Sequence, residues 1–273
     1  MEGRTDGNMS FWEHLDVLRK DLVKIAVATL VFAITAFFFK KEIFSVILAP
    51  KNGDFVIYRL FDLIDSWLGN VGGTDFSVQL INTGLTEQFL IHVKTSMYVG
   101  FLCVLPYALY LLFHFVSPGL YDDEKKYSSR MVVSGYFMFM IGVLLSYFLI
   151  FPLTFRFLGT YQVSEEVVNM ISLQSYMDTL IMMCLLMGIV FELPILCWLL
   201  GRLGVLSAPF MRRFRKHAVV AILVVAAIIT PTSDAFTMLV VALPIWLLYE
   251  LSIVVVRRVN PEKSCDTENN RLS

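Results

Sequence analysis

The chain has 273 residues, of which 57% are hydrophobic and only 16% charged, with a mean hydropathy of +0.70 and a formal net charge of −1. A water-soluble domain carries about 25% charged residues, so a solvated surface around one core is excluded, and a chain this apolar cannot stay disordered. A pI near 6.4 leaves no basic footprint for nucleic acid, and the solvent that suits such a composition is a bilayer.

Residues 1–8 are short and polar. They lack the charged n-region and apolar h-region of a cleaved signal peptide, so the first hydrophobic helix is expected to direct insertion. In Phe11-Trp12-Glu13-His14-Leu15-Asp16-Val17-Leu18-Arg19-Lys20, apolar Phe11, Leu15, Leu18 and Leu22 recur at helical spacing. That pattern predicts an amphipathic helix lying on the membrane within residues 1–21. A hydrocarbon layer about 30 Å thick needs about 20 apolar residues at 1.5 Å each. Leu22–Phe39 meets this, with Lys24 placed to snorkel. Phe89–Phe115 follows, with Lys94 near its start and Pro106 inside; then comes Met131–Phe155, closed by Pro152 and Arg156. Tyr176–Leu200 is interrupted by Glu192 and Pro194. The stretch Ala218–Val256 is too long for one helix and breaks at Thr230-Pro231-Thr232-Ser233-Asp234, a turn signal.

The expected fold is therefore all-α, a polytopic membrane domain over 22–256 with six spans near 22–39, 89–115, 131–155, 176–200, 217–230 and 235–256. A polar tail of 257–273 follows. The connection 40–86 is long, with a short amphipathic stretch at Phe55–Trp67, and 156–175 is shorter. With the N-terminus inside, 16 of the 22 Lys and Arg fall on the inner side, so both termini are expected in the cytoplasm. Cys103, Cys184 and Cys197 lie in apolar runs and Cys265 in the tail. No spacing suggests a disulfide framework or a metal site.

Three stretches stand out. Glu192, in Phe191-Glu192-Leu193-Pro194, is a carboxylate inside a span; at mid-depth it costs about 2.5–3.5 kcal/mol on insertion scales and is a functional-site candidate by default. The plainer alternative is that it reaches headgroups near the cytoplasmic end. Pro194 frees a backbone carbonyl one turn back and bends the helix, which suits a polar groove. Phe113 to Lys126 ends a span with Ser-Pro-Gly and then runs Asp122-Asp123-Glu124, either an ordinary interfacial belt or a place for a cation to dock. His14, His92, His114 and His217 read as interfacial polar residues rather than ligands. No G-x-S-x-G, phosphate-cradling loop or HExxH is present, so enzyme chemistry is unsupported.

Together, His14-Leu15 with Leu18-Arg19, Phe115 through Lys126, Phe191 through Pro194, and Thr230-Pro231 with Asp234 and Phe236 resemble the TatC family. This family is the multispanning core subunit of the twin-arginine, Sec-independent protein translocase. The resemblance runs from about Ser10 to Val256. It implies a curved, glove-like bundle in the bacterial cytoplasmic (inner) membrane, with no nucleotide or metal cofactor. It also implies twin-arginine signal peptides of folded cargo as ligands, single-span TatA/TatB-type subunits as partners, self-association, and transport driven by the proton-motive force. Residue by residue, it puts Glu124, Phe115, Arg19 and Asp16 at the signal-peptide site and Glu192 with Pro194 in the intramembrane groove. Thr230, Thr237 and Met238 fall at a contact for partner helices. Two positions depart from the family motifs: Val17 stands where H-L-x-E-L-R has its Glu, with Asp16 one place earlier, and Met238 where Gln is frequent. The competing class is a proton-coupled secondary transporter using Glu192; against it, only one broken helix is found, without the repeated partner such transporters show.

Overall fold

The computed structural model describes residues 11–59, 79–116, 128–161, 169–230 and 234–259. They divide between two compact units, one built from residues up to 40 and 92–137, the other from 41–91 and 138 onward.

In the first unit, α1 (Phe11–Phe38) and most of α3 (Glu87–Val116) are both long and apolar. The expected interfacial helix and first span are one uninterrupted helix, with neither Gly nor Pro between Phe11 and Phe38 to break it. Lys24, expected to snorkel, donates to Asp21 Oδ1 at 2.8 Å one turn back. Gly100 sets the spacing of the two helices: a Cβ there would stand 2.6 Å from the Ala33 backbone nitrogen and 2.8 Å from the Thr29 carbonyl. Small residues at a crossing let backbones approach, the usual device where lipid leaves no hydrophobic driving force between helices. At the end of α1, His92 Nε2 lies 3.1 Å from the Phe37 carbonyl and its ring stacks on Phe37 at 3.9 Å. That carbonyl is one of the four a helix end leaves without an internal partner.

The second unit opens with α2 (Lys40–Ile47) and a 3-10 turn at Ala49–Lys51. Its strand β1 (Leu80–Ile81) pairs in parallel with β2 (Ile171–Ser172), Leu80 opposite Ile171. The helix α4 (Ser128–Leu145) runs through a π turn at Ser146–Ile150 into α5 (Phe151–Thr160). Pro152, expected to close this span, does not. The wider π turn takes up the missing N–H and the ring clash that proline imposes. Next come α6 (Leu173–Phe191), α7 (Leu193–Arg202), α8 (Ala208–Arg213), α9 (Arg215–Ile229) and α10 (Ala235–Val259). The helix α10 is the hub, packing along α7, α9 and α8. Phe139, Ile150, Phe151, Tyr176, Met183 and Met187 are almost fully buried. The crossing of α4 with α6 again rests on glycine: a Cβ on Gly142 would meet the Met187 carbonyl at 2.7 Å, and one on Gly188 the Phe139 ring at 2.6 Å.

Among the described residues, five helical stretches are long and apolar enough to cross a membrane, Leu15–Phe38, Glu87–Leu112, Met131–Thr160, Leu173–Arg202 and Ala235–Val259. At 15 residues, α9 is shorter than these. Leu22, Val27, Leu30 and Ile34 of α1 are more than half exposed, and so are Leu239, Leu243 and Leu247 of α10. Apolar contact area this extensive needs lipid or another apolar partner.

Candidate functional site

The N-terminal candidates sit on the second and third turns of α1. Asp16 is ion-paired with Lys20 at 2.7 Å, both side chains mostly exposed, and Arg19 is exposed beside them. Val17 is half-buried, so Asp16 occupies a different face of the helix from the position where the family motif has its Glu. Phe115 is half-buried in the last turn of α3. Glu124 lies outside the described residues.

The intramembrane candidate is held by a break in the helix. Pro194 has no N–H, so the α6 ladder cannot pass through it. Glu192 takes the junction, with φ −74° and ψ −14°. Its N–H bonds back to the Ile189 carbonyl at 3.1 Å, while its own carbonyl accepts from Ile195 and Leu196 at 3.0 Å each. Pro194 is buried and Glu192 half-buried. Oε1 of Glu192 is shut away from solvent and meets no hydrogen-bond partner among the described residues. A buried acceptor left unmade carries its full desolvation cost.

The third group straddles α9 and α10. Thr230 is buried and its hydroxyl donates to the Ala226 carbonyl at 3.0 Å. Asp234 Oδ2 accepts the Thr237 N–H at 2.7 Å, an N-cap that starts α10. Thr237 is fully buried, its hydroxyl without a hydrogen-bond partner among the described residues, and Met238 is half-buried. The side chains that this end of α10 exposes are Phe236 and Leu239. Phe236 also stacks on Phe157 of α5 at 4.6 Å between centroids. The three residues expected to meet a partner helix thus lie largely beneath the surface, with Phe236 and Leu239 outside them.

Sequence reasoning missed a set of polar anchors around α2. Tyr176 donates to the Ile47 carbonyl at 2.9 Å and Tyr147 to the Val46 carbonyl at 2.5 Å, satisfying carbonyls at the C-terminus of α2. The Tyr58 hydroxyl lies 3.1 Å from both the Pro50 and Pro152 carbonyls, and Arg156 sits 5.7 Å over its ring. Burial pushes the Tyr58 phenol well above its ordinary range. Glu87 is the other omission, a buried carboxylate surrounded by backbone donors. Tyrosines near the ends of apolar runs read as an interfacial belt, so nothing in the sequence marked these as anchors. Among the described residues, no group of three or more His, Cys, Asp or Glu could hold a metal ion.

Comparison with known proteins gives one family. The profile described as Sec-independent protein translocase protein (TatC) matches residues 13–244. Curated proteins of that name are similar over nearly the whole chain. One from Blattabacterium sp. subsp. Periplaneta americana is 34% identical, covering 93% of this chain and 97% of its own length. One from Aquifex aeolicus is 30% identical, covering 93% and 98%, and TatCy of Bacillus subtilis is 30% identical, covering 90% and 88%. Among solved structures, the crystal structure of the twin-arginine translocase receptor TatC superposes with a TM-score of 0.72 at 30% identity. It covers 91% of this chain and 100% of its own.

Proposed function

This chain belongs to the TatC family of Sec-independent protein translocase proteins, and from that premise we propose that it recognises twin-arginine signal peptides at the end of α3 and passes their folded cargo across the membrane. As a member it is a receptor component of the twin-arginine translocase, not a small-solute transporter. The observation that carries the function is the match to the solved receptor over 91% of the chain.

The proposed recognition site joins Glu124 and Phe115 with Arg19 and Asp16. Guanidinium pairs bidentately with carboxylate in a way an ammonium cannot. A fully exposed pair contributes about 0–1 kcal/mol, too little to separate Arg-Arg from Lys-Lys. At an interface with effective dielectric near 20, the gross Coulomb attraction at 4 Å is about 4 kcal/mol before desolvation; this strengthens the pair for either cation, and the bidentate geometry is what favours Arg over Lys. The apolar part of the signal is proposed to lie in the groove near Glu192, whose Oε1 meets no donor among the described residues.

Partner subunits of the single-span type are proposed to contact the outer end of α10 at Phe236, Met238 and Leu239, with Thr230 and Thr237 beneath. In this reading α9 is the fifth of six spans and α10 the sixth, both termini are cytoplasmic, the membrane is the bacterial inner membrane, and the proton-motive force drives transport. No cofactor is invoked. The test is photo-crosslinking of an Arg-Arg signal peptide to the protein in membranes. Glu124→Ala is expected to abolish it while protein level and insertion are unchanged, Asp123→Ala is expected to do less, and a Lys-Lys peptide should fail on the wild type. Unchanged crosslinking in Glu124→Ala would reject the recognition assignment.

A further inference from the structure

The elbow between α8 and α9 concentrates positive charge for which, among the described residues, Glu250 is the one acid on these segments. Over 208–217 and 250–259 there are six cations, Arg212, Arg213, Arg215, Lys216, Arg257 and Arg258, against one acid, Glu250. Glu250 is taken by Arg215 at 2.5 Å. The other five are exposed.

Packing gathers them. Ala208 and Met211 of α8 form a buried cluster with Ile253 and Val256 of α10, and Tyr249 donates to the Met211 carbonyl at 2.8 Å. The α8 helix is therefore fixed along the last turns of α10, which end in Arg257 and Arg258. With Met211 turned inward, the neighbouring Phe210, Arg212 and Arg213 face out. Phe210 is 53% exposed and Phe214 39%, and their rings meet at 4.6 Å. An exposed aromatic pair among guanidinium groups suits the border of hydrocarbon and headgroups, where rings sit at headgroup level and guanidinium pairs bidentately with phosphate.

The length of α9 adds an independent reason. Its 15 residues span about 22 Å, roughly 8 Å less than an average hydrocarbon layer. Val219, Val220, Val224 and Ile228 are exposed along it and need lipid. A bilayer that thins to match α9 brings headgroups down toward Lys216 and its neighbours, and phosphates within reach of these exposed cations.

We propose that the α8–α9 elbow and the end of α10 form a docking surface for an anionic phospholipid of the adjoining leaflet. A zwitterionic lipid brings its own cation to the same place, so the surface prefers the anionic headgroup. The proposal rests on the membrane setting of these helices and not on the signal-receptor role, and its test reads lipid rather than cargo.

The full-length protein, delipidated in detergent, is offered phosphatidylglycerol and phosphatidylcholine in equal amounts, and retained lipid is counted by native mass spectrometry. Separately, a benzophenone side chain at position 210 is irradiated in vesicles of the same two lipids. The wild type should retain phosphatidylglycerol about tenfold over phosphatidylcholine, and the crosslink should carry phosphatidylglycerol. Arg212→Gln/Arg213→Gln/Lys216→Gln should lose that preference, and Arg212→Lys/Arg213→Lys should keep most of it, which separates lost charge from lost fold. Equal retention of the two lipids, an unchanged preference in the triple variant, displacement by millimolar inorganic phosphate, or a crosslink only to protein would each overturn it. Failure here would leave crosslinking of the signal peptide at Glu124 untouched, and the converse also holds.

Discussion

The Glu87 carboxylate accepts the backbone N–H of Gln174 at 2.9 Å, joining the start of α3 to the start of α6 across 87 positions of sequence. Its other oxygen accepts the N–H groups of Gly84 at 2.8 Å and Thr83 at 3.0 Å. One buried side chain thus serves backbone donors from two segments and holds β1 beside β2. All its partners are donors, so only an acceptor on both oxygens fits.

Glu87→Gln is therefore expected to fail nearly as badly as Glu87→Ala, because the amide presents N–H groups to N–H groups. Limited proteolysis should cut the 79–86 segment faster in both variants, and thermal unfolding in detergent should begin earlier. Wild-type protection in Glu87→Gln would show that the carboxylate is not what holds the junction.

A second expectation concerns Gly188, where a Cβ would stand 2.6 Å from the Phe139 ring. Gly188→Ala overpacks this crossing and should cost about 1–3 kcal/mol. Because the conflict is with one ring, Phe139→Leu should relieve it in the double variant, giving a measurable coupling between neighbours. Additive losses would mean that the helices simply separate.

Much of this architecture was legible because lipid imposes one requirement, about 20 apolar residues per crossing, and Leu22–Phe39 or Tyr176–Leu200 meet it without ambiguity. The break at Glu192 was legible as well, since proline removes one specific hydrogen bond. What stayed hidden depends on contacts distant in sequence. The hydroxyl of Tyr176 finds a carbonyl 129 positions away, and that of Tyr58 one 94 away. Pro152 misled because a π turn, invisible to apolar periodicity, lets the helix continue to Thr160. Thr230 and Thr237 could be named from the sequence, but which face of α9 or α10 is buried depends on neighbours that no local pattern names.

Glu192 separates two roles for an intramembrane carboxylate. If its unpartnered oxygen serves to keep the helix break polar, Glu192→Gln should retain more export than Glu192→Leu, since the amide still offers hydrogen bonds. A group that must exchange a proton would lose export equally in both. The graded result is expected in an export assay with a folded reporter, with protein levels matched.

The shortness of α9 gives the last expectation. The helix ends at Ile229 with Thr230 bonded back to Ala226, and Ala226 and Ile229 are almost fully buried. Its C-terminal end is followed by Pro231-Thr232-Ser233-Asp234, polar residues that cannot be drawn into hydrocarbon cheaply. Either the bilayer thins around α9 or partner helices cover the gap, at fractions of a kcal/mol per Å of mismatch, and both suit a membrane weakened for folded cargo. Inserting four apolar residues between Val225 and Ala226 lengthens the helix by about 6 Å and should leave signal-peptide crosslinking intact while blocking export. Four residues also turn the buried face by about 40°, so length and register must be told apart. Seven inserted residues restore the face to within about 20° and lengthen the helix further, to about 33 Å. If shortness is what matters, both insertions block export. Export that fails with four and recovers with seven would assign the effect to the packing of Ala226 and Ile229, and normal export with both would make the short helix incidental to transport.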